Sequence, residues 1–221
     1  MDTLTAARQK AASAWLRDFI AGPKRFRWTA MPIQSGDLAP TPVIRAPDGK
    51  DFALQQAWEE RPAVFVFLRH FGCSCAWQRA ERLVTEYPRL VAAGATVVAI
   101  GQGDPARCQW FGDRTGLPCP VLSDEGRLAY EVFGLLEARP SQVVYGMPEG
   151  FLRRDPTLAE DFLNSRKGSE RMPVDSPWQL PGEFVVDPKG VIKLAHRSQY
   201  CADYADPDVL VAAITEAIHG L

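Results

Sequence analysis

The 221-residue chain is 46% hydrophobic, carries a formal net charge of −2 and has five cysteines. That is enough chain for one sizeable core, and the near-neutral balance excludes the electrostatic footprint of a protein built for nucleic acid or an anionic membrane. No apolar run reaches membrane-span length, and an odd cysteine count in a chain this long points to reduced thiols, redox chemistry or a metal rather than a disulfide framework.

The first predicted element is a helix over residues 4–21. Ala12, Trp15, Leu16, Phe19 and Ile20 give it one apolar face, and Gly22-Pro23 stops it. It lies outside the core pattern that follows, so it should pack on the domain or on a second subunit. Met1-Asp2-Thr3-Leu4 offers no basic region followed by an apolar core, and the expected location is cytoplasmic. Residues 24–42 are irregular. Val43 to Ala46 and Asp51 to Leu54 flank Pro47-Asp48-Gly49, which is hairpin chemistry.

Residues 63–80 organise the rest. Pro62 opens a continuous apolar run, Ala63 to Leu68, that reads as a strand buried on both faces. Arg69, His70, Phe71 and Gly72 form a short turn, then come Cys73 and Cys75, then a helix from Ala76 to Glu86. A cysteine at a helix start faces unpaired N–H groups and the positive end of the macrodipole, and both favour thiolate over thiol. Arg69 and His70 are expected to add positive charge beside it.

A second buried strand, Ala95 to Ile100, ends at Gly101-Gln102-Gly103. These glycines lack the third of a dinucleotide fingerprint and read as a turn. Asp104 caps a helix from Pro105 to about Thr115. Pro120-Val121-Leu122 is strand-like, and Asp124 to Phe133 is helical up to Gly134. Residues 141–180 read as an insertion wrapping the surface, with a helical patch near Leu158–Asn164. A late hairpin follows, with Phe184-Val185-Val186 and Val191 to Leu194 around Asp187-Pro188-Lys189-Gly190, and a last helix runs from Asp206 to His219. Strands alternating with helices imply a parallel core to which the hairpin adds antiparallel strands. The whole reads as one domain, residues 1–221, with an extension over 1–23, a core over 33–218 and the 141–180 insertion.

Cys73 is the candidate nucleophile and Cys75 the nearest thiol able to condense with its sulfenic acid. A disulfide across one intervening residue closes a small strained ring, which suits a catalytic pair rather than a structural one. Cys201, in a polar stretch after the hairpin, is a further candidate resolving thiol, whereas Cys108 and Cys119 read as structural. Arg69 could stabilise a thiolate or a peroxide oxygen; its alternative is a surface salt bridge. His70, Cys73 and Cys75, with His196 or Cys201, have the residue types of a zinc site, but the paired C-x₂-C spacing is missing. No metal is therefore expected, and no cofactor is expected because sulfur itself carries the electrons.

The pattern resembles the thioredoxin fold and, more narrowly, the peroxiredoxin-like branch of the alkyl hydroperoxide reductase/thiol-specific antioxidant family. Gly36-Asp37-Leu38-Ala39-Pro40, Val66 to Cys73, Val121-Leu122-Ser123-Asp124 with Tyr130 and Phe133-Gly134, and Gln179 to Asp187 with Gly190 carry the likeness. It implies a three-layer α/β sandwich, a mixed central sheet with helices on both faces. It also implies a thiol-dependent oxidoreductase that reduces peroxides, restored by a thioredoxin- or glutathione-type reductant, with a homodimer as one assembly. Two features depart from the family. One residue rather than two separates Cys73 from Cys75, and Pro181 stands where typical peroxiredoxins have an arginine. Pro181 instead resembles the cis-proline of thioredoxin-like reductases, so Gly72 and Pro181 enter as supporting site residues. The alternatives are a disulfide reductase or electron carrier, and a redox-sensing or metal-binding module.

Overall fold

The computed structural model describes residues 3–144 and 146–220. Seven strands form a sheet in the order β2-β1-β5-β4-β3-β6-β7. In chain order these are β1 (Val43–Arg45), β2 (Asp51–Ala53), β3 (Ala63–Phe67), β4 (Thr96–Gly101), β5 (Val121–Ser123), β6 (Gly182–Val186) and β7 (Ile192–Arg197). The helices are α1 (Thr3–Ala21), α2 (Ser74–Ala92), α3 (Pro105–Thr115), α4 (Leu128–Val132), α5 (Pro140–Val143), α6 (Glu149–Leu152), α7 (Pro156–Ser165) and α8 (Pro207–His219).

The central three strands, β5, β4 and β3, run parallel, and β6, β7 and β1 pair antiparallel to their neighbours. This is the mixed sheet that βα units followed by a hairpin require. All five residues of β3 are buried, because it lies between β4 and β6 with both faces covered. Its even positions, Val64 and Val66, pack with Ala80, Leu83 and Ile214 of α2 and α8. Its odd positions, Phe65 and Phe67, pack with Tyr130, Phe133 and Phe184 on the other face. The Tyr130 hydroxyl lies between the carbonyls of Leu68 and Ile100, at 2.6 and 2.9 Å, and ties together the ends of β3 and β4 where the site is built.

Two predicted helices change length. The helix after the cysteines continues to Ala92, with Pro88 inside it. The helix predicted from Asp124 begins only at Leu128, because the Asp124 carboxylate turns back to accept from the N–H groups of Leu128 and Ala129, at 2.9 and 2.8 Å. That is the work of a cap, which competes with helix in the residues just before it.

The α1 helix packs against the domain. Trp15 and Phe19 join Phe151, Ala159 and Trp178 in a third cluster, with Phe19 stacked on Trp178 at 5.3 Å. Residues 141–180 contribute α5, α6 and α7 to the same cluster. Its last stretch is fastened by Arg107, which meets both oxygens of Asp175 at 2.7 and 2.9 Å. The Gly101-Gln102-Gly103 turn has a packing reason: a Cβ at Gly101 or Gly103 would meet the Phe71 ring at 2.5 or 2.6 Å. Phe71 in turn stacks on Phe111 at 4.3 Å, which anchors the turn before the cysteines.

Candidate active site

Cys73 stands at the N-cap of α2, half-buried, with its N–H bonded to the carbonyl of His70 at 2.9 Å. Gly72 is required just before it, since a Cβ there would lie 2.2 Å from the Met172 carbonyl oxygen. The turn is held from the other side by Trp77, whose indole N–H donates to the Phe71 carbonyl at 2.8 Å. The cysteine is thus pinned by the helix that follows it and by the far end of the 141–180 segment.

Three thiols converge here. Cys75 lies within hydrogen-bonding reach of both Cys73 and Cys201. The Cys73 thiol is held well below its ordinary value, first by the hydrogen bond from the Cys75 thiol and then by the Arg69 charge, which outweigh its burial. Cys201 is lowered to about 7, again by Cys75 first, with Arg69 assisting. Cys75 is raised, because it donates to Cys201 and Cys73 and is itself largely buried. The cluster therefore holds one protonated thiol between two sulfurs that favour the thiolate. All five cysteines are thiols in this structure.

Arg69 is buried, not the surface ion pair that stood as its alternative reading. It donates to the carbonyls of Pro177 at 2.7 Å and Gln179 at 3.1 Å and has no carboxylate partner among the described residues. Neutral carbonyls hold the guanidinium without cancelling its charge, which is left to the sulfurs. Its Nε is buried with no partner, an unused donor in the site. Arg197 plays no such part, because it caps the Phe133 carbonyl at 3.0 Å and covers the Phe184 ring.

Two expectations need correction. His70 adds no positive charge, because burial and the neighbouring Arg69 push its pKa well below the ordinary value and leave the ring neutral. Its Nδ1 is buried and unpartnered. Pro181 is not cis, since no cis peptide bond occurs among the described residues. The chain is extended on both sides of it. Gln179 bridges to Glu137, the Pro181 carbonyl accepts from the Ser198 N–H at 3.3 Å, and Gly182 pairs with Phe67. A trans bond carries that pairing straight into β6. Of the residues offered as a fourth zinc ligand, His196 turns away to Asp203.

Sequence reasoning missed Tyr204. Its hydroxyl donates to the Cys75 carbonyl at 2.7 Å and links the Cys201 loop to the start of α2. That loop is fixed from beneath by Glu183, which accepts from the Ala205 N–H at 2.6 Å and pairs with the buried Arg79; Arg79 also reaches Glu86 at 2.8 Å. Also missed was the pocket beside Cys73. It has a volume of about 270 Å³, and Trp15, Phe19, Phe151 and Phe162 line its apolar wall. Arg166, Arg171 and Cys73 line it too. The apolar stripe on α1 is the one sequence signal for that wall, and by itself it reads as packing.

A thioredoxin-like mixed sheet that delivers a cysteine to a helix N-cap beside a charge-bearing arginine defines a thiol enzyme of the thioredoxin-fold class. Comparisons with known proteins narrow this. The family model described as "AhpC/TSA antioxidant enzyme" matches residues 82–200. The prostamide/prostaglandin F synthase of Salmo salar is 40% identical over 162 residues, 66% of this chain and 80% of that protein. The chloroplastic peroxiredoxin Q of Populus jackii is 24% identical over 170 residues, 76% of this chain but 62% of that one. A thiol peroxidase from Chromobacterium violaceum superposes with a TM-score of 0.58 at 16% identity, covering 90% of this chain and 94% of that one, which is a likeness of fold. The chain belongs to the AhpC/TSA antioxidant enzyme family, in its peroxiredoxin-like branch. The matched segment begins inside α2 and ends just before Cys201, so the roles of the three site cysteines rest on geometry.

Proposed function

We propose that the protein reduces peroxides through the Cys73 thiolate. The observation that carries this is the placement of Cys73 at a helix N-cap, faced by an arginine whose charge no carboxylate cancels. Cys73 sulfur attacks the peroxide O–O bond; the S–O bond forms, the O–O bond breaks, and the leaving alkoxide takes a proton. That proton comes from solvent; once Cys73 is oxidised it no longer holds Cys75 protonated, and the Cys75 thiol gives up its proton to water. Its sulfur then attacks the Cys73 sulfenic acid, forming the Cys73–Cys75 disulfide and expelling hydroxide. Cys201 lies on the other side of Cys75 and can take over the disulfide by exchange, which frees Cys73. An external dithiol of the thioredoxin type supplies the two electrons that reset the site.

A disulfide reductase drew its support from Pro181 standing where typical peroxiredoxins have an arginine; Arg69, whose charge acts on the Cys73 sulfur, supplies that cation from another element. Stopped-flow oxidation of the reduced protein by hydrogen peroxide tests the peroxidase reading, with Cys73→Ser, Cys75→Ser and Cys201→Ser alongside. Fast oxidation lost in Cys73→Ser, with a sulfenic acid trapped in Cys75→Ser, is the expected result. A wild type that reacts no faster than a free thiol would overturn the reading.

A further inference from the structure

The pocket beside Cys73 joins the turn of the strand–cysteine–helix unit to α1 and the 141–180 segment, and its lining is both apolar and cationic. One wall is aromatic and aliphatic, from α1 and residues 141–162. Arg166 and Arg171 also line the pocket. Arg166 is held over the Phe162 ring at 5.6 Å, and neither arginine forms an ion pair among the described residues. The nearby Glu170 does not neutralise them, because it is engaged by Arg114 at 2.6 Å. Arg69 also lines the pocket, but its charge serves the site sulfurs; the further guanidinium groups of Arg166 and Arg171 beside an apolar wall match one kind of ligand: an apolar chain that ends in a carboxylate, which arginine meets with paired donors. A small hydrogen peroxide molecule needs neither wall nor charge.

We propose that this pocket binds medium-chain carboxylic acids, with the chain against Trp15, Phe19, Phe151 and Phe162 and the carboxylate on Arg166 and Arg171. Their hydroperoxides would then be the preferred oxidants of Cys73, which lines the same pocket. That second statement rests on the peroxidase reading, whereas the binding does not. The volume of about 270 Å³ is near the lower end of ligand pockets, about 300–1,000 Å³. A methylene is comparable in size to a water, which takes about 30 Å³ of liquid, so on the order of nine carbons fit.

The test uses the full chain. Calorimetric titration with saturated carboxylates should show affinity rising about fourfold for each added carbon and levelling off near the length that fills the pocket. Decanoate should bind with one-to-one stoichiometry and roughly tenfold tighter than decanol, and Arg166→Ala/Arg171→Ala should abolish that difference. Decanoate no tighter than decanol, or a preference that survives the double substitution, overturns the proposal. Stopped-flow rates then compare hydrogen peroxide, a medium-chain hydroperoxy acid and its methyl ester. A faster acid than ester in the wild type, with the ratio falling to one in the double variant, is expected; equal rates overturn the substrate assignment. If neither hydrogen peroxide nor the hydroperoxy acid oxidises the protein faster than a free thiol while decanoate binds as described, the peroxidase reading fails and the acid site stands. Fast hydrogen peroxide oxidation with no carboxylate dependence of binding means the reverse.

Discussion

Two neighbouring strands, β3 and β4, each run into a turn, a helix and a cysteine, and the two cysteines have opposite chemistry. Cys73 stands at the N-cap of α2 and is pushed towards the thiolate. Cys108 lies a turn inside α3, where its thiol donates to the Gly103 carbonyl at 3.3 Å and burial pushes its pKa well up. Each has an arginine close by, but the arginines are held differently. Arg69 is fixed by neutral carbonyls, so its charge stays available. Arg107 is engaged by Asp104, at 2.7 Å, and by both oxygens of Asp175. A buried arginine activates a thiol when its hydrogen bonds are satisfied without a counter-charge; with one, it becomes a structural clamp.

The largest effect should come from breaking the clamp. Asp175→Asn leaves the buried Arg107 half-paired and should cost about 3 kcal/mol, read from urea unfolding. Native alkylation in the same variant should show Cys108 becoming more reactive; no gain would mean that the contrast lies in helix position rather than charge. Next comes the site arginine. Arg69→Met removes the largest charge that favours the Cys73 thiolate and should slow peroxide oxidation at neutral pH by roughly 100-fold, with the pH profile moved to the alkaline side. An unchanged rate would make the N-cap and the Cys75 hydrogen bond sufficient. Gly72→Ala forces the turn away from the Met172 carbonyl and should lower stability by about 2 kcal/mol in thermal unfolding.

The smallest effect is a flat line. The Cys73 pKa lies well below its ordinary value, so its reactive form persists where an ordinary thiol is protonated and is lost only as pH falls through that lowered value. Alkylation should therefore change less than about twofold between pH 7 and 9, where a thiol of ordinary pKa changes roughly 20-fold. In Cys73→Ser the remaining reactive thiol is Cys201, whose labelling should titrate at about 7 or below. A steep rise above pH 8 in either protein would remove the activated cluster.

The elements of the core were legible because their patterns are local. The buried run at 63–68, the Asp104 cap and the two hairpins each declare themselves within a few residues. The cysteine at the helix start was legible for the same reason. Cys201 was visible only as a thiol in a polar loop, since nothing near it in the chain says that Glu183 and Tyr204 bring it to Cys75. Residues 141–180 looked irregular because their order comes from burying aromatics against α1, not from an internal period.

By itself, then, the sequence determined the strand–turn–helix unit and the fold family and marked Cys73 as the candidate nucleophile, all carried by short-range spacing and backbone chemistry. The tertiary structure decided everything that depends on residues far apart in the chain meeting. It made Arg69 a free charge by giving it the carbonyls of Pro177 and Gln179, left His70 neutral, kept Pro181 trans, and gathered three thiols and an apolar pocket at one helix end. Ionisation and pocket chemistry follow burial and partners, and both belong to the folded molecule.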